Sequence, residues 1–281
     1  MMKEMFWRWT VMYTSFYGMC CNPFLKDESI KFAFKSRDFN EALSRFNYLK
    51  EINGIGLFTG FPGVGKTYVA RYFINNLNKD LYKVIYISAN KSTSLFNFVK
   101  LLCDSLNLNI GSCYHANIYS SIQSEFKRLV SKDKVSVVVI IDDAHLLPKD
   151  VIDYFKIFYD FDMDSKDYVS LILIGLPELK AELSKNIYET LKQRIIVNYS
   201  FDGLSRDEVK EYIISRLEYA NSNTSIFNQE AISALYSCSK SLPRRLNALA
   251  INSLMLGFQN NNTIIDSNIV MNAKNEIDFD Q

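Results

Sequence analysis

The chain has 281 residues, 48% of them apolar, which is enough for a large globular domain with a smaller second unit. Its formal net charge of +1 excludes a strong overall field that would draw it to nucleic acid or to a membrane. The five cysteines show no C-x-x-C spacing and only two histidines accompany them, which argues against a structural zinc site. We therefore expect reduced thiols in a cytoplasmic protein.

The N-terminal sequence is rich in aromatic residues but does not resemble a targeting segment. Arg8, Asn22 and Pro23 interrupt the apolar run, and no small-residue cleavage site comes after it. We expect no signal peptide, no membrane span and no membrane partner. Residues 1–11 differ in character from the rest of the chain, and are either a non-native or extra extension or an aromatic strap on the surface.

The most specific motif is the glycine-rich run GFPGVGKT at residues 60–67, which matches the pattern G-x-x-x-x-G-K-[ST]. An apolar, strand-like run at residues 55–59 precedes it, and an amphipathic, helix-like run at residues 67–78 comes after it. Small residues let several backbone N–H groups surround one phosphate, and the next helix contributes its positive end. The motif therefore predicts a binding site for a nucleoside triphosphate.

The residues of this loop are expected to share the binding of the phosphates. The Lys66 ammonium would bind the β and γ phosphates, and the Thr67 hydroxyl would be a ligand for Mg²⁺. The other predicted contacts are Gly60, Pro62, Gly63, Val64, Gly65 and Tyr68.

Alternating apolar runs predict the fold of this part of the chain. Four further strands are expected at residues 84–88, 135–141, 169–174 and 195–199. Helices are expected between them at residues 94–106, 118–130, 148–159 and 178–194, with a break in the last near Asn186. Continuous apolar strands that alternate with helices predict an α/β fold with a five-stranded parallel sheet, covered on both faces.

After residue 201 the strand-like runs stop, and helices are predicted at residues 205–219, 228–238, 244–258 and 266–274. Ser205 and Glu208 form a capping-box pattern, and Asn228 is a candidate N-cap. The predicted domains are an N-terminal segment packed on the core (residues 12–50), a nucleotide-binding core (residues 51–200) and a helical lid (residues 201–281).

One predicted strand ends in two carboxylates, Asp142 and Asp143. Acidic groups at the carboxyl end of such a strand lie beside the phosphate loop. We expect Asp142 to hold Mg²⁺ through water molecules and Asp143 to orient or polarise the attacking water. The alternative is that both residues merely cap the next helix.

With the helical tail, these motifs make the chain resemble AAA+ ATPases of the ExeA type and, with them, transposition ATPases of the TniB, TnsC and MuB kind. The resemblance extends from about Met12 to Asn272. Its short motifs are FYG at 16–18, NPF at 22–24, the phosphate loop, DDAH at 142–145, GLPEL at 175–179, QRI at 193–195 and PRRLN at 243–247. It implies an AAA+ core with a helical lid, ATP and Mg²⁺ as cofactors, and assembly of copies into a ring or filament.

The resemblance also implies roles for two arginines. Arg194 matches an arginine finger that acts in trans on the nucleotide of a neighbouring subunit, and Arg244 matches a second sensor that links the nucleotide to the lid. The alternative for both is an ordinary surface or ion-pair arginine. Asn90 is a candidate partner that restrains the catalytic carboxylate.

The chain departs from the family pattern at three positions. Asp143 stands where relatives usually have glutamate, so the shorter carboxylate is expected to slow hydrolysis. Leu176 replaces a common glutamine, which leaves the first sensor missing or supplied by another residue. Ser241 stands where relatives favour glycine, a change expected to affect only a turn.

Three functions are compatible with these features. We favour an ATP-dependent oligomeric factor that binds double-stranded DNA and regulates a transposase. The second is an ExeA-like ATPase for secretion or envelope assembly, although relatives of that kind carry a membrane segment and a cell-wall-binding module that this sequence does not show. The third is a slowly hydrolysing nucleotide switch for a protein partner.

Any contact with DNA would have to come from a local group of basic residues, because the net charge is near zero. Such residues are more often a solvated helix face. The candidates are Lys91, Lys100, Lys127, Arg128, Lys132 and Lys134.

Overall fold

The computed structural model describes residues 12–25, 33–108, 115–162 and 165–278. These residues form two compact units. The sheet unit comprises Asn40–Phe61 and Lys66–Phe201, and the helical unit comprises the described residues up to Phe39, Pro62–Gly65, and those from Asp202 onward. The predicted extension at residues 1–11 lies outside the described residues.

The sheet unit is built on five parallel strands. They are β1 (Ile55–Thr59), β2 (Tyr82–Ser88), β3 (Ser136–Asp142), β4 (Val169–Gly175) and β5 (Ile195–Ser200), in the order β2-β3-β4-β1-β5. The predicted five-stranded parallel sheet is therefore confirmed. The three inner strands are almost entirely buried, whereas the edge strands β2 and β5 are partly exposed. Burial on both faces explains why the inner strands read as continuous apolar runs.

In the described part of the chain, seven α-helices accompany the strands. They are α1 (Arg37–Ile52), α2 (Lys66–Asn76), α3 (Leu95–Ser105), α4 (His115–Ser131), α5 (Lys149–Tyr154), α6 (Pro177–Leu183) and α7 (Glu189–Arg194). The predicted break near Asn186 is present as a 3₁₀ turn, Asn186–Tyr188. Among the described residues, no helix is long and apolar enough to cross a membrane.

The predicted helix at residues 148–159 was too long. Its α-helical part ends at Tyr154, and the chain continues as a 3₁₀ helix, Phe155–Phe158. The rings of Phe155 and Phe158 are buried and lie within 6.4 Å of the Phe98 ring, measured between centroids. The change from α-helix to 3₁₀ helix thus occurs where large rings pack in the core, and composition alone does not reveal it.

The described C-terminal part of the helical unit contains α8 (Arg206–Tyr219), α9 (Gln229–Ser239), α10 (Pro243–Gln259) and α11 (Ser267–Ile277). The Ser205 hydroxyl accepts the Glu208 N–H at 3.3 Å, and the Glu208 carboxylate accepts the Ser205 N–H at 2.9 Å. The Asn228 side chain accepts the Ala231 N–H at 2.7 Å. The predicted capping box and N-cap are confirmed.

The predicted N-terminal segment, residues 12–50, is divided between the units at Phe39. Its first part packs inside the helical unit, where Tyr13, Tyr17 and Phe24 are buried in the core. The Tyr17 hydroxyl also donates to the Asn262 carbonyl at 2.9 Å. Residues 12–25 are therefore an integral part of the helical unit.

A buried carboxylate stabilises the beginning of the C-terminal part of the helical unit. Asp38 is only 3% exposed, and its Oδ2 accepts the N–H groups of Asp202 and Gly203 at 2.8 and 2.9 Å. Gly203 has a φ of +93°, and a Cβ there would lie 2.3 Å from the Ser241 carbonyl oxygen. The turn at residues 202–203 thus requires both a charged acceptor and a glycine.

We expect Asp38→Ala to lower the free energy of unfolding by about 2–3 kcal/mol, because two backbone donors lose a charged acceptor. Urea unfolding followed by circular dichroism measures the change. Glu41→Ala is the matched control, since its carboxylate forms a half-exposed ion pair with Arg45 and its loss should cost at most about 1 kcal/mol. Equal losses in the two variants would contradict the role assigned to Asp38.

Candidate functional site

Asp142 is the buried acidic centre of the candidate site. It ends β3 and is only 2% exposed. Its Oδ2 accepts hydrogen bonds from the Thr67 hydroxyl at 2.7 Å and from the Tyr86 hydroxyl at 3.0 Å. Its Oδ1 accepts the Asp143 backbone N–H at 2.9 Å. These donors offset the cost of removing a carboxylate from water, so the structure holds Asp142 in one orientation.

Lys66 begins α2 and is also buried, with 7% of its surface exposed. Its ammonium donates to the carbonyl oxygens of Gly60 at 2.6 Å and of Phe61 at 3.0 Å. The next residue is Thr67, which contacts Asp142. The start of α2 therefore carries a buried cation and a hydroxyl on consecutive residues, and their roles toward phosphate and metal stay predictions.

Asp143 comes directly after β3 in a left-handed backbone conformation, with a φ of +53°. Its side chain makes no capping hydrogen bond to the adjoining 3₁₀ helix, Ala144–Leu146. The alternative interpretation, in which this residue caps the next helix, is thus not observed. Such a conformation costs a non-glycine residue of order 1 kcal/mol, and strain of this kind is often found at functional sites.

Tyr86 is a member of the site that the sequence analysis missed. It lies on the edge strand β2, where it pairs with Ile140 of β3, and it is 43% exposed. Burial of the hydroxyl and the negative charge of Asp142 raise the pKa of the Tyr86 phenol, so the phenol stays protonated and acts as a donor at neutral pH. In the sequence, Tyr86 is a tyrosine within a predicted strand, and this does not reveal that its hydroxyl contacts Asp142.

The middle of the glycine-rich loop, Pro62–Gly65, belongs to the helical unit. There the Arg244 N–H donates to the Gly63 carbonyl at 3.2 Å. Gly63 has a φ of +83°, and a Cβ on it would lie 2.8 Å from the Cβ of Arg244. Gly65 also has a positive φ of +110°. The backbone conformation at both positions thus favours glycine over any residue with a side chain. Val64, between them, is buried.

The two predicted functional arginines lie in different units. Arg194 ends α7 in the sheet unit, half-buried, with its guanidinium 4.7 Å from the centre of the Tyr159 ring. Arg244 is exposed near the start of α10 in the helical unit. Their proposed roles in trans and in cis stay predictions.

The structure also shows the surroundings of three other residues that the sequence analysis singled out. The Asn90 side-chain oxygen accepts the N–H and the hydroxyl of Ser92, at 2.9 and 2.6 Å, so it stabilises a turn. Leu176 precedes α6 and offers no polar group there. Tyr68 is half-buried beside Arg71, whose guanidinium lies 5.4 Å from the ring centre.

The candidate DNA contacts divide into two groups. Lys127 forms an ion pair with Asp162 at 2.6 Å, and Arg128 pairs with Glu125 and Asp133, each at 2.8 Å. In the described part of the chain, no carboxylate lies within ion-pair distance of the remaining lysines, which are exposed: Lys91, Lys100, Lys132 and Lys134.

The donor set fits a magnesium–phosphate ligand. Hydroxyl and carboxylate oxygens from Thr67 and Asp142 are hard ligands of the type that Mg²⁺ prefers, and the Lys66 ammonium suits a phosphate. The described residues include no group of three or more His, Cys, Asp or Glu that could hold a metal. A magnesium ion at this site would therefore depend on phosphate oxygens and water for most of its ligands.

Comparison with known structures identifies the fold as that of AAA+ P-loop proteins, and residues 50–183 match the family model described as an AAA domain. Cdc6p from Pyrobaculum aerophilum superposes with a TM-score of 0.70 at 13% identity, over 92% of this chain and 71% of that one. The Holliday junction branch migration motor RuvB from Thermotoga maritima superposes with a TM-score of 0.57 at 18% identity, over 89% and 74%. The predicted fold class is confirmed.

Two curated proteins are similar in sequence. General secretion pathway protein A of Aeromonas hydrophila is 30% identical over 249 residues, which are 88% of this chain and 45% of that protein. A potential ATP-binding protein of Staphylococcus aureus is 27% identical over 194 residues, which are 61% of this chain and 65% of that protein. The chain thus spans less than two thirds of the length of either relative. The first supports the predicted ExeA-type resemblance, and the relation to transposition ATPases stays a prediction.

We expect Gly63→Ala to destabilise the protein by about 2–3 kcal/mol, because the new methyl group meets a positive φ and the fixed Cβ of Arg244. Gly18→Ala is the matched control: Gly18 has a φ of +65°, and a Cβ there would meet nothing within 4 Å. The control should lose only about 1 kcal/mol. Urea unfolding curves measure both, and equal losses would mean that the approach to Arg244 is unimportant.

Proposed function

We propose that this chain binds Mg²⁺–ATP and hydrolyses it slowly as an AAA+ ATPase that assembles with further copies of itself. The observation that carries the proposal is the hydrogen bond from the Thr67 hydroxyl to the buried Asp142 carboxylate, made by the residue that directly follows the buried Lys66. In the proposed site, Thr67 would supply a metal ligand, Asp142 a carboxylate for metal-bound water and Lys66 a phosphate-binding cation.

Each group of the site has a chemical task in this proposal. The Lys66 ammonium exchanges its bonds to the Gly60 and Phe61 carbonyls for bonds to the β and γ phosphates. The Thr67 oxygen would offer a lone pair to the metal while its hydroxyl proton keeps its hydrogen bond to Asp142. Magnesium, when bound, supplies positive charge that offsets the charge of the phosphates. Backbone N–H groups of the glycine-rich loop bind the remaining phosphate oxygens.

Hydrolysis requires further groups. Asp143 is proposed to orient the attacking water, and its carboxylate makes no capping hydrogen bond to the adjoining 3₁₀ helix. Because aspartate is one methylene shorter than glutamate, we expect slow turnover. Arg194 is proposed to act in trans on the nucleotide of a neighbouring copy and Arg244 in cis, so full activity would require assembly.

For the biological role, we propose that the assembly binds double-stranded DNA and regulates a transposase. The basic groups would be the four exposed lysines that have no ion-pair partner among the described residues. Structural neighbours include an Aeropyrum pernix Orc1 protein in complex with DNA.

A second candidate is a role in secretion or envelope assembly. It is favoured by the relative named General secretion pathway protein A, which matches most of this chain. In that case the ATP-dependent assembly would act on a protein partner and would be indifferent to DNA.

ATP-dependent assembly on DNA distinguishes the two roles. We expect double-stranded DNA with Mg²⁺–ATP to increase both the particle size, measured by light scattering, and the ATPase rate. In the double variant Lys91→Ala/Lys100→Ala, DNA binding should depend less on salt. The slope of the logarithm of the binding constant against the logarithm of the salt concentration should fall by about one for each phosphate that is no longer bound. Lys127→Ala is the matched control because Lys127 is ion-paired with Asp162. ATP-dependent assembly that ignores DNA would favour the protein-partner role.

We expect Lys66→Ala to abolish tight ATP binding, because the buried cation of the phosphate site is removed. Asp143→Asn is the matched control: it removes a charge from the same site but should leave ATP affinity intact while stopping turnover. Isothermal titration with ATP and Mg²⁺ measures affinity, and phosphate release measures turnover. Unchanged affinity in Lys66→Ala would refute the nucleotide site.

A further inference from the structure

One hydrogen bond in the site has no role in the functions proposed so far. The Asp142 oxygen that accepts a hydrogen bond from the Thr67 hydroxyl also accepts one from the Tyr86 hydroxyl, at 3.0 Å. Thr67 comes from α2 and Tyr86 from β2, so two different elements of the sheet unit converge on one oxygen atom. A carboxylate oxygen has room for about two such donors, and Oδ2 is therefore fully occupied.

The other oxygen of the carboxylate is left with unused capacity. Oδ1 accepts the Asp143 N–H at 2.9 Å, which occupies one of its two lone pairs. An outer-sphere metal carboxylate acts by accepting hydrogen bonds from metal-bound water. The arrangement thus leaves one lone pair of Asp142, on Oδ1, for such a water.

Tyr86 is held in place by regular strand pairing. It lies opposite Ile140, two residues before Ser88, which lies opposite Asp142. Nevertheless, 43% of Tyr86 is exposed, more than expected for a residue retained only for packing. Its hydroxyl donates to the buried Asp142 carboxylate, which indicates a polar task for this side chain.

We propose that Tyr86 is a positioning residue that fixes the Asp142 carboxylate for magnesium in the nucleotide complex. This inference rests on the proposed Mg²⁺–ATP site and deepens it. Partners that hydrogen-bond to direct metal ligands typically change metal affinity by about 10- to 100-fold when removed, and because Asp142 acts through water we expect the lower end of this range for Tyr86. Tyr86 should accordingly affect the magnesium dependence of nucleotide binding and leave the metal-independent part unchanged.

The test is Tyr86→Phe, which removes the hydroxyl and keeps the ring. Binding of a fluorescent ADP analogue is followed by anisotropy, first in EDTA and then during a magnesium titration. We expect the half-saturating magnesium concentration to rise about tenfold, while affinity in EDTA changes less than about twofold.

Tyr168→Phe is the matched control, because its hydroxyl also donates to an aspartate of the sheet unit, Asp162, at 2.9 Å. It should leave the magnesium titration unchanged. Thermal unfolding without nucleotide verifies that both variants are folded.

The outcomes separate this inference from the proposal on which it rests. An unchanged magnesium titration in Tyr86→Phe would overturn the positioning role. An equal loss of affinity for the ADP analogue in EDTA and in magnesium would overturn it as well. If the unaltered protein binds no nucleotide under either condition, the proposed function itself fails, and this inference fails with it.

Discussion

A charged carboxylate at the end of a buried strand constrains much of the sheet unit. Asp142 closes β3, whose other residues are almost entirely apolar and buried. An isolated carboxylate in that position would cost several kcal/mol, so other elements must bring donors to it. The donors come from the start of α2, from the edge strand β2 and from the backbone just after β3. The fold of the sheet unit thus supplies the hydrogen-bond donors that the buried Asp142 carboxylate requires.

Unusual backbone geometry marks the turns around the predicted functional residues. Gly63 and Gly65 have positive φ angles in the glycine-rich loop, and Asp143 has one directly after β3. Ser241, which precedes the Pro243–Arg244 pair, also has a positive φ, of +64°. Glycine is the residue best suited to such a conformation, which gives a physical reason for the family preference at position 241. Here a serine bears the strain.

The comparisons show the fold more firmly than the role. AAA+ proteins with solved structures superpose over about nine tenths of the chain at identities below 20%. One fold supports many tasks, so function must be argued from the site. In the proposed function, Lys66, Thr67 and Asp142 carry the nucleotide chemistry, and the hydrogen bonds of these side chains are its structural basis. The choice between DNA and a protein partner depends on surface residues, of which Lys127 and Arg128 are already engaged in ion pairs.

The sequence by itself determined the features that depend on neighbours along the chain. Apolar periodicity predicted the strand positions. Short sequence patterns predicted the glycine-rich loop, the Ser205 capping box and the Asn228 N-cap. Only the tertiary structure decided the features that join distant residues. These are the Tyr86–Asp142 hydrogen bond, the 3₁₀ helix at Phe155–Phe158 and the place of residues 12–25 and 33–39 in the helical unit. These features depend on which distant segments pack together and on how side chains fill the core between them, and a residue's neighbours along the chain do not specify either.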